Sequence, residues 1–528
     1  MPSVRTEFPP PRRYLPPLSQ SLSRPDDSLH TEVSTEIMSL KGAGKAPSQI
    51  TRSGAYEVQA ASDARGVPYS YAAAVPVPGY VQPGYARSVQ GDPRATAVPA
   101  TRIASSDPVL NTPDFVPQRT VPDRSERRDL LKEVGDLRAQ RSPYVEAGLS
   151  LRSREGAEGL DSLTDVEVPV QAAFPATDAG RFSLRAVPVL LDAGTTSGGN
   201  LPRYGAMGLA LAQGLGSANA RYDNTASGTA VALAYEAGDF KADVGSSPLG
   251  FPVQTLVGGA SWRPSLDHVS FKIDVSRRSV TDSLLSYAGL RDPATGLTYG
   301  GVTKNGARLD LAYDLGRYGL YANGSYHVLN GEYVPRNAEL EVGGGFYARA
   351  IETRSNRVTY GLNITAFGYD KNLRYFSFGH GGYFSPQSYF AVAVPVSWEG
   401  YHNRFSYKLG GALGLQSFKE DGAALYPGDA GLQAALQNSL TNYTGTLTIP
   451  AGYSGKHSTG VGFSFGGQLE YLLDNNLVLG ARLALDNARD YNEASGLAYL
   501  RYMFYPQNRV TYPPNLLLPY YNFGDPRL

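Results

Sequence analysis

From Tyr144 to Phe504 the apolar residues recur at every second position. In Asn476–Asp486, Leu477, Leu479, Ala481, Leu483 and Leu485 fall on one face, while Gly480, Arg482 and Asp486 fall on the other. Val269, Phe271, Ile273 and Val275 oppose Ser270, Lys272, Asp274 and Ser276 in the same way. Leu309, Leu311, Tyr313 and Leu315 oppose Arg308, Asp310 and Asp314. Phe405, Tyr407 and Leu409 oppose Ser406 and Lys408, and Phe463, Phe465, Leu469 and Tyr471 oppose Gln468 and Glu470. A period of two is that of a β-strand with two unlike faces. Strands of a soluble sandwich mostly run about five or six residues. These run about 9 to 14, the length that crosses a bilayer at a tilt. The pattern predicts an all-β fold, an antiparallel transmembrane β-barrel.

The connections sharpen that expectation. PATDAG, AGD, RPSLDH, LGRYG, TRSN, GYHN and DNN are short and rich in turn formers. They alternate with long connections at Ala193–Ser227, Arg278–Gly306, Tyr369–Pro386 and Phe418–Thr459, and with short ones near Gly331 and Asp490. Short periplasmic turns alternating with longer outer loops give about 16 strands, with both barrel ends on the periplasmic side. Tyr204–Gly214 could be read as one more strand. An odd total would follow, so it is assigned to the second long outer loop. The final strand sends Ala498, Leu500, Tyr502 and Phe504 outward, and Tyr499 and Arg501 inward.

The rest of the chain differs in composition. Residues 1–121 are rich in Pro, Ser, Ala and Arg without apolar periodicity, and are expected to be a disordered linker. Residues 122–142 carry a short periplasmic helix: Asp123 or Ser125 can cap it, and Leu130, Val134 and Leu137 share one face. The barrel is expected over 144–505. The tail, 506–528, cannot continue as a strand because of Pro506, Pro513, Pro514 and Pro519. It either enters the lumen or lies in the periplasm.

Charge and chemistry exclude several function classes. The 48 basic residues balance 48 acidic ones, which offers no electrostatic case for nucleic acid. The chain has no Cys, so disulfides, thiolate metal sites and thiol nucleophiles are ruled out together. No apolar run is long enough for a transmembrane helix. The N-terminus contains no apolar signal-peptide core, which favours a fragment or truncated form of a longer precursor.

Several long stretches are familiar in series: RSPYVEAGLSLRSREGAEGLDSLTDVEVPV, GRFSLRAVPVLLDAG, YEAGDFKADVGSSPLGF, SRRSVTDSLLSYAGLRDPATGLTYGGV, FGHGGYFSPQSYF and YPPNLLLPYY. From about Tyr144 to Leu518 the chain resembles the C-terminal domain of bacterial cellulose synthase operon protein C. The resemblance implies an outer-membrane channel of 16 strands through which a β-1,4-glucan (cellulose) strand leaves the cell. It implies as partners that glucan, the outer-membrane bilayer and, indirectly, the inner-membrane cellulose synthase complex. In that family a periplasmic array of tetratricopeptide repeats precedes the barrel. No 34-residue helical repeat is found in the first 140 residues here.

An exporter needs no catalytic step, cofactor or metal; it needs a wet lumen whose side chains hold sugar weakly. The candidates for lining the path are Lys272, Asp274, Arg308, Asp310, Asp314, Lys408, Gln468, Glu470, Arg482, Asp486 and Arg501, joined by Tyr512 and Tyr520 if the tail enters. Mixed charge suits a neutral glucan better than an ion-selective pore. Leu284, Leu285 and Tyr287 are unusually apolar for an exposed loop and are read as a gate folded over the mouth. Tyr375, Phe376, Tyr383 and Phe384 are candidates for stacking on glucose rings. Two alternatives stay open: a general diffusion porin, and an outer-membrane hydrolase. The second needs a nucleophile and base at the rim; His327, His380 and His402 are barrel-region candidates for the base, and no credible GxSxG elbow occurs.

Overall fold

The computed structural model describes residues 142–522 apart from 177–179, 267, 354, 489–490, 508–509 and 511–513. The linker expected over 1–121 and the helix expected over 122–142 therefore fall outside the described residues, save residue 142. The described chain forms a closed antiparallel barrel of 16 strands. They are β1 (Tyr144–Arg154), β2 (Leu163–Glu167 continued by Val170–Pro175), β3 (Gly180–Ser197), β4 (Arg221–Ala237), β5 (Phe240–Ser246), β6 (Leu256–Trp262), β7 (Val269–Ser279) and β8 (Thr298–Asp314). The second half comprises β9 (Tyr318–Glu332), β10 (Val334–Glu352), β11 (Asn356–Tyr369), β12 (Ser388–His402), β13 (Phe405–Glu420), β14 (Lys456–Asp474), β15 (Leu477–Ala488) and β16 (Tyr491–Met503).

Each strand pairs with its sequence neighbours, and β1 closes the ring on β16 from Tyr144↔Met503 to Arg154↔Glu493. Closure removes the free edges, so the wall can meet hydrocarbon without stranded backbone N–H and C=O groups. The side chains obey the same solvent. Leu413, Leu415, Phe465, Leu483, Leu485 and Leu500 stand exposed on the outside, while Lys408, Glu470, Arg482 and Arg501 are buried inside. Aromatics gather near the short-turn end, where Phe182 meets Tyr235, Trp398 meets Tyr407 and Tyr502 meets Phe504. Rings at that level suit the bilayer interface. One short turn is a two-residue hairpin, Asn403-Arg404, closed by His402↔Phe405. Asn403 takes φ 52°, a left-handed conformation that Asn tolerates.

Four strands run further than their alternation predicts. The loop expected over Ala193–Ser227 begins only after Ser197 and ends before Arg221, β8 starts at Thr298 rather than after Gly306, and β14 starts at Lys456. Beyond the bilayer an outward side chain need not be apolar. The sequence signal therefore fades while the hydrogen-bond ladder continues. Tyr204–Gly214 is not a strand: it holds helix α1, Met207–Ala212, within the β3–β4 loop.

The outer loops knot together above the barrel. Gly205 N–H donates to the Phe376 carbonyl (3.0 Å), and Phe378 N–H returns to Gly205. Ala206 N–H donates to Asp292 (3.0 Å), Leu209 N–H to the Tyr426 hydroxyl (2.9 Å), and the Ser377 hydroxyl to the Leu425 carbonyl (2.7 Å). His380 is sealed in this knot, edge-on to Tyr375 and Tyr453, with Nε2 3.0 Å from the Ala424 carbonyl. A carbonyl only accepts, so Nε2 carries the proton. Burial pushes the imidazole down to about 3.

Leu483→Arg, at mid-strand on the lipid face, should cost about 2–4 kcal/mol of folding stability in lipid vesicles, read by denaturant unfolding. A smaller loss than for an interfacial arginine at Tyr502 would contradict the assigned bilayer level. For His380, an opened loop restores the ordinary value near 6.5, so protonation favours opening. The stability from neutral His380 is complete above about pH 6.5 and declines as pH falls toward 3. At pH 4.5 the knot should be weaker by about 2–3 kcal/mol. Hydrogen exchange of the outer loops should quicken accordingly, and His380→Gln should flatten the change.

Candidate functional site

The inward residues of β1, β2, β7–β10 and β14–β16 carry charge, and adjacent strands bring opposite signs together. Arg308 donates to Asp310 (2.8 Å) on its own strand and to Glu341 (2.9 Å) on β10. Arg501 bridges Glu146 (2.8 Å) on β1 and Glu470 (2.7 Å) on β14, and the Tyr499 hydroxyl donates to the same Glu470 (2.6 Å). Arg349 pairs with Asp314 (2.5 and 3.0 Å), Arg152 with Asp165 (2.8 Å) and Arg278 with Asp243 (2.5 Å). Losing one partner of such a buried pair leaves an uncompensated charge, so these contacts hold the wall's register from inside. Lys408 lies across from Glu399 and Gln468, Lys272 across from Asp310, and Asp274 across from Arg308. Arg482 lies across from Gln468, and Asp486 across from Ser464 and Glu493.

The β7–β8 loop folds inward to the opposite part of the wall. Its helix α2 (Leu284–Ala288) opens with a capping box in which Ser283 and Ser286 each bond the other's backbone N–H. Leu284, Leu285 and Tyr287 are all buried, with Leu285 at 0% exposure. Inward arginines of β1 seize the start of this loop: Arg152 donates to the Thr281 carbonyl (3.1 Å) and Arg154 to that of Asp282. The Ser283 hydroxyl donates to the Gly382 carbonyl (2.7 Å) of the β11–β12 loop. The Tyr287 hydroxyl reaches Glu167 on β2 (3.3 Å), while its ring lies edge-on to Phe251 (5.3 Å). Burial among acidic neighbours holds the Tyr287 phenol far above its usual range, so it stays a donor.

The tail climbs the wall from the short-turn end to meet this loop. Val510 packs on Leu472 and Val478. The Asn515 carbonyl accepts from the Tyr499 hydroxyl (3.2 Å) and from Arg501. Leu517 is fully buried against Leu497 and Tyr499, where a side chain at Gly148 would crowd it (3.2 Å). Tyr520 donates its N–H to Glu167, shares a hydrogen bond with Ser279 (3.0 Å) and stacks on Tyr287 at 5.6 Å and 10°. Tyr521 bonds Ser150 (3.3 Å) beneath the Arg152 guanidinium (4.3 Å). Glu167 thus accepts from both the loop and the tail. Tyr512 lies outside the described residues.

The aromatics expected to stack on sugar are occupied by other rings of the protein. Tyr375 stacks on Tyr453 at 3.5 Å and 7°. Tyr383 packs on Tyr369, and its hydroxyl accepts from Asn337 (3.1 Å). Phe384 stands edge-on to Phe418 (5.3 Å), in one core cluster with Tyr383 and Phe367, and Phe376 is also buried. The reason is tertiary: a Gly-rich loop can turn its aromatics down onto the strand ends rather than out to solvent. Arg152, Asp165, Glu167 and Leu517 carry no motif that the sequence alone would single out. Leu163, Asp165 and Glu167 share one face of a five-residue segment, a period too short to stand out in the chain. His327 lies inward beside Glu339 (3.8 Å), His380 in the loop knot and His402 at the end of β12 beside a short turn. Among the described residues no group of three acidic or histidine side chains could hold a metal ion.

Residues 161–505 match the protein family described as cellulose synthase operon protein C C-terminus. Cellulose synthase operon protein C of Pseudomonas fluorescens is 38% identical over 425 residues, 80% of this chain and 30% of that protein. The protein of that name from Xanthomonas axonopodis pv. citri is 40% identical over 300 residues, 55% of this chain and 20% of its own length. The chain thus spans about a third or less of these curated relatives. Among solved structures, a bacterial polysaccharide outer membrane secretin is 11% identical with a TM-score of 0.41, covering 68% of this chain and 98% of that one. That likeness is too distant to add to the barrel already described. The family match runs through β16 and takes in nearly the whole described wall, and on that ground the chain belongs to the cellulose synthase operon protein C C-terminal family.

Proposed function

We propose that this barrel is a gated conduit that passes an uncharged β-1,4-glucan outward across the outer membrane, and that it performs no chemistry on its cargo. The observation that carries the reading is the meeting of α2 and the tail at Glu167 inside a barrel of this family. An open diffusion pore has no need of two segments from opposite ends of the barrel latched together in its lumen. The internally paired wall charges support the same reading, because paired charges present little net field to an ion and little hindrance to a neutral polymer. Leu284, Leu285 and Tyr287 act as the gate, and Tyr520 as the tail's hold on it. The tail and the charged wall together border the path. Coupling to an inner-membrane synthase is indirect and passes through periplasmic parts that the curated relatives' greater length leaves room for.

Deleting the gene in a glucan-secreting cell should abolish secreted glucan while synthesis continues, read by enzymatic digestion of the secreted and cell-retained fractions. Undiminished secretion would end the export reading. In planar bilayers the intact barrel should conduct poorly. Tyr287→Ala or removal of Thr511–Leu528 should raise its conductance about tenfold, since either change breaks the latch. Equal conductance in all three proteins would show that these segments gate nothing.

A further inference from the structure

The inner wall is not uniform, and its uncharged part points to where cargo runs. Across β11–β14 the register aligns inward residues in rows: Thr359–Ser397–Gly410–Gly466, then Pro395–Ala412–Ser464, then Asn363–Ala393–Gly414–Gly462. No row holds a charge or a large side chain. Adding the next row, Thr365–Ala391–Gln416–Gly460, makes a face about 20 Å long and about 15 Å wide, large enough for several sugar rings. Charges resume at its short-turn border, with Glu399, Lys408 and Glu470. The described part of the tail makes its contacts chiefly on β1, β2, β7 and β16, and Val510 meets β14 at Leu472, near the short-turn end and away from this face.

Small residues alone would mean only a thin wall. The second observation is chemical. Ser464, near the centre of this face and 4% exposed, has its hydroxyl buried with no hydrogen-bond partner. The hydroxyls of Ser458 at the outer border and Ser406 at the short-turn border are in the same condition. Buried hydroxyls are ordinarily satisfied, and each can both donate and accept. A polyol sliding past offers donors and acceptors to all three, while the C–H faces of its rings rest on Ala393, Pro395 and Ala412. Such contacts orient without holding tightly, as conduction requires. The other small-residue stretch, on β4–β6, is interrupted by Lys241 and Asp243 and flanked by Arg185 on β3 and Arg278 on β7.

We propose that the face built from Ser397, Gly410, Ala412, Gly414, Gly462 and Ser464 is the track along which a neutral β-glucan slides. The inference rests on the export reading and specifies which wall the cargo touches. Its test compares secretion by full-length chains whose barrel assembly is verified by heat-modifiable gel mobility. Ala412→Trp should cut secreted glucan about tenfold, whereas Ala232→Trp on the inward face of β4 and Leu413→Trp on the lipid face should leave it near the parent level. Ser464→Ala, too mild to disturb assembly, should change the secretion rate about threefold, the worth of one neutral hydrogen bond. Equal losses at Ala412 and Ala232 would mean general narrowing and overturn the track. Unchanged secretion in Ser464→Ala would overturn it as well, even if Ala412→Trp failed to assemble. Secretion that persists without the chain would instead defeat the export reading.

Discussion

A backbone in hydrocarbon has no water to satisfy its N–H and C=O groups, and the rest of this structure depends on that constraint. A strand can enter the bilayer only if both of its edges are paired, so the sheet must close. The β1–β16 seam from Tyr144 to Arg154 performs that closure and makes every other strand admissible. Once the wall is closed, lipid selects apolar side chains outside, and the interior becomes the only place for charge. The barrel is thereby the inverse of a soluble domain, with leucines exposed and arginines buried.

Burying charge inside a closed wall creates a second requirement, that each charge find a partner. Cross-strand register supplies it. Glu146, Glu470 and Arg501 come from β1, β14 and β16 and still meet within 2.8 Å. The same wall then supplies anchors for segments that are not part of it. Arg152 binds Asp165 in the wall, a carbonyl of the β7–β8 loop and the ring of the tail's Tyr521. Glu167 accepts from Tyr287 and Tyr520. Movement of the loop therefore disturbs the hydrogen bonding of the tail, and the reverse also holds. In the proposed conduit this linkage couples the outer gate to a segment that starts at the periplasmic end, while cargo passes along the uncharged wall of β11–β14.

The sequence by itself determined the wall. Alternation such as Leu477, Leu479, Ala481, Leu483 and Leu485 identifies the lipid face because the strand period and the bilayer's demand are both local. Turn strings such as DNN and GYHN set the strand count for the same reason. The resemblance, not the periodicity, supplied the cargo. Only the tertiary structure decided what fills and caps the barrel. Tyr375, Tyr383 and Phe384 read as free stacking rings because their partners, Tyr453, Tyr369 and Phe418, lie in other segments. Glu167 drew no notice because its meaning comes from residues 120 and 353 positions away. Contacts at such separations leave no periodicity in the chain, since they depend on where closure and loop folding carry each residue in space.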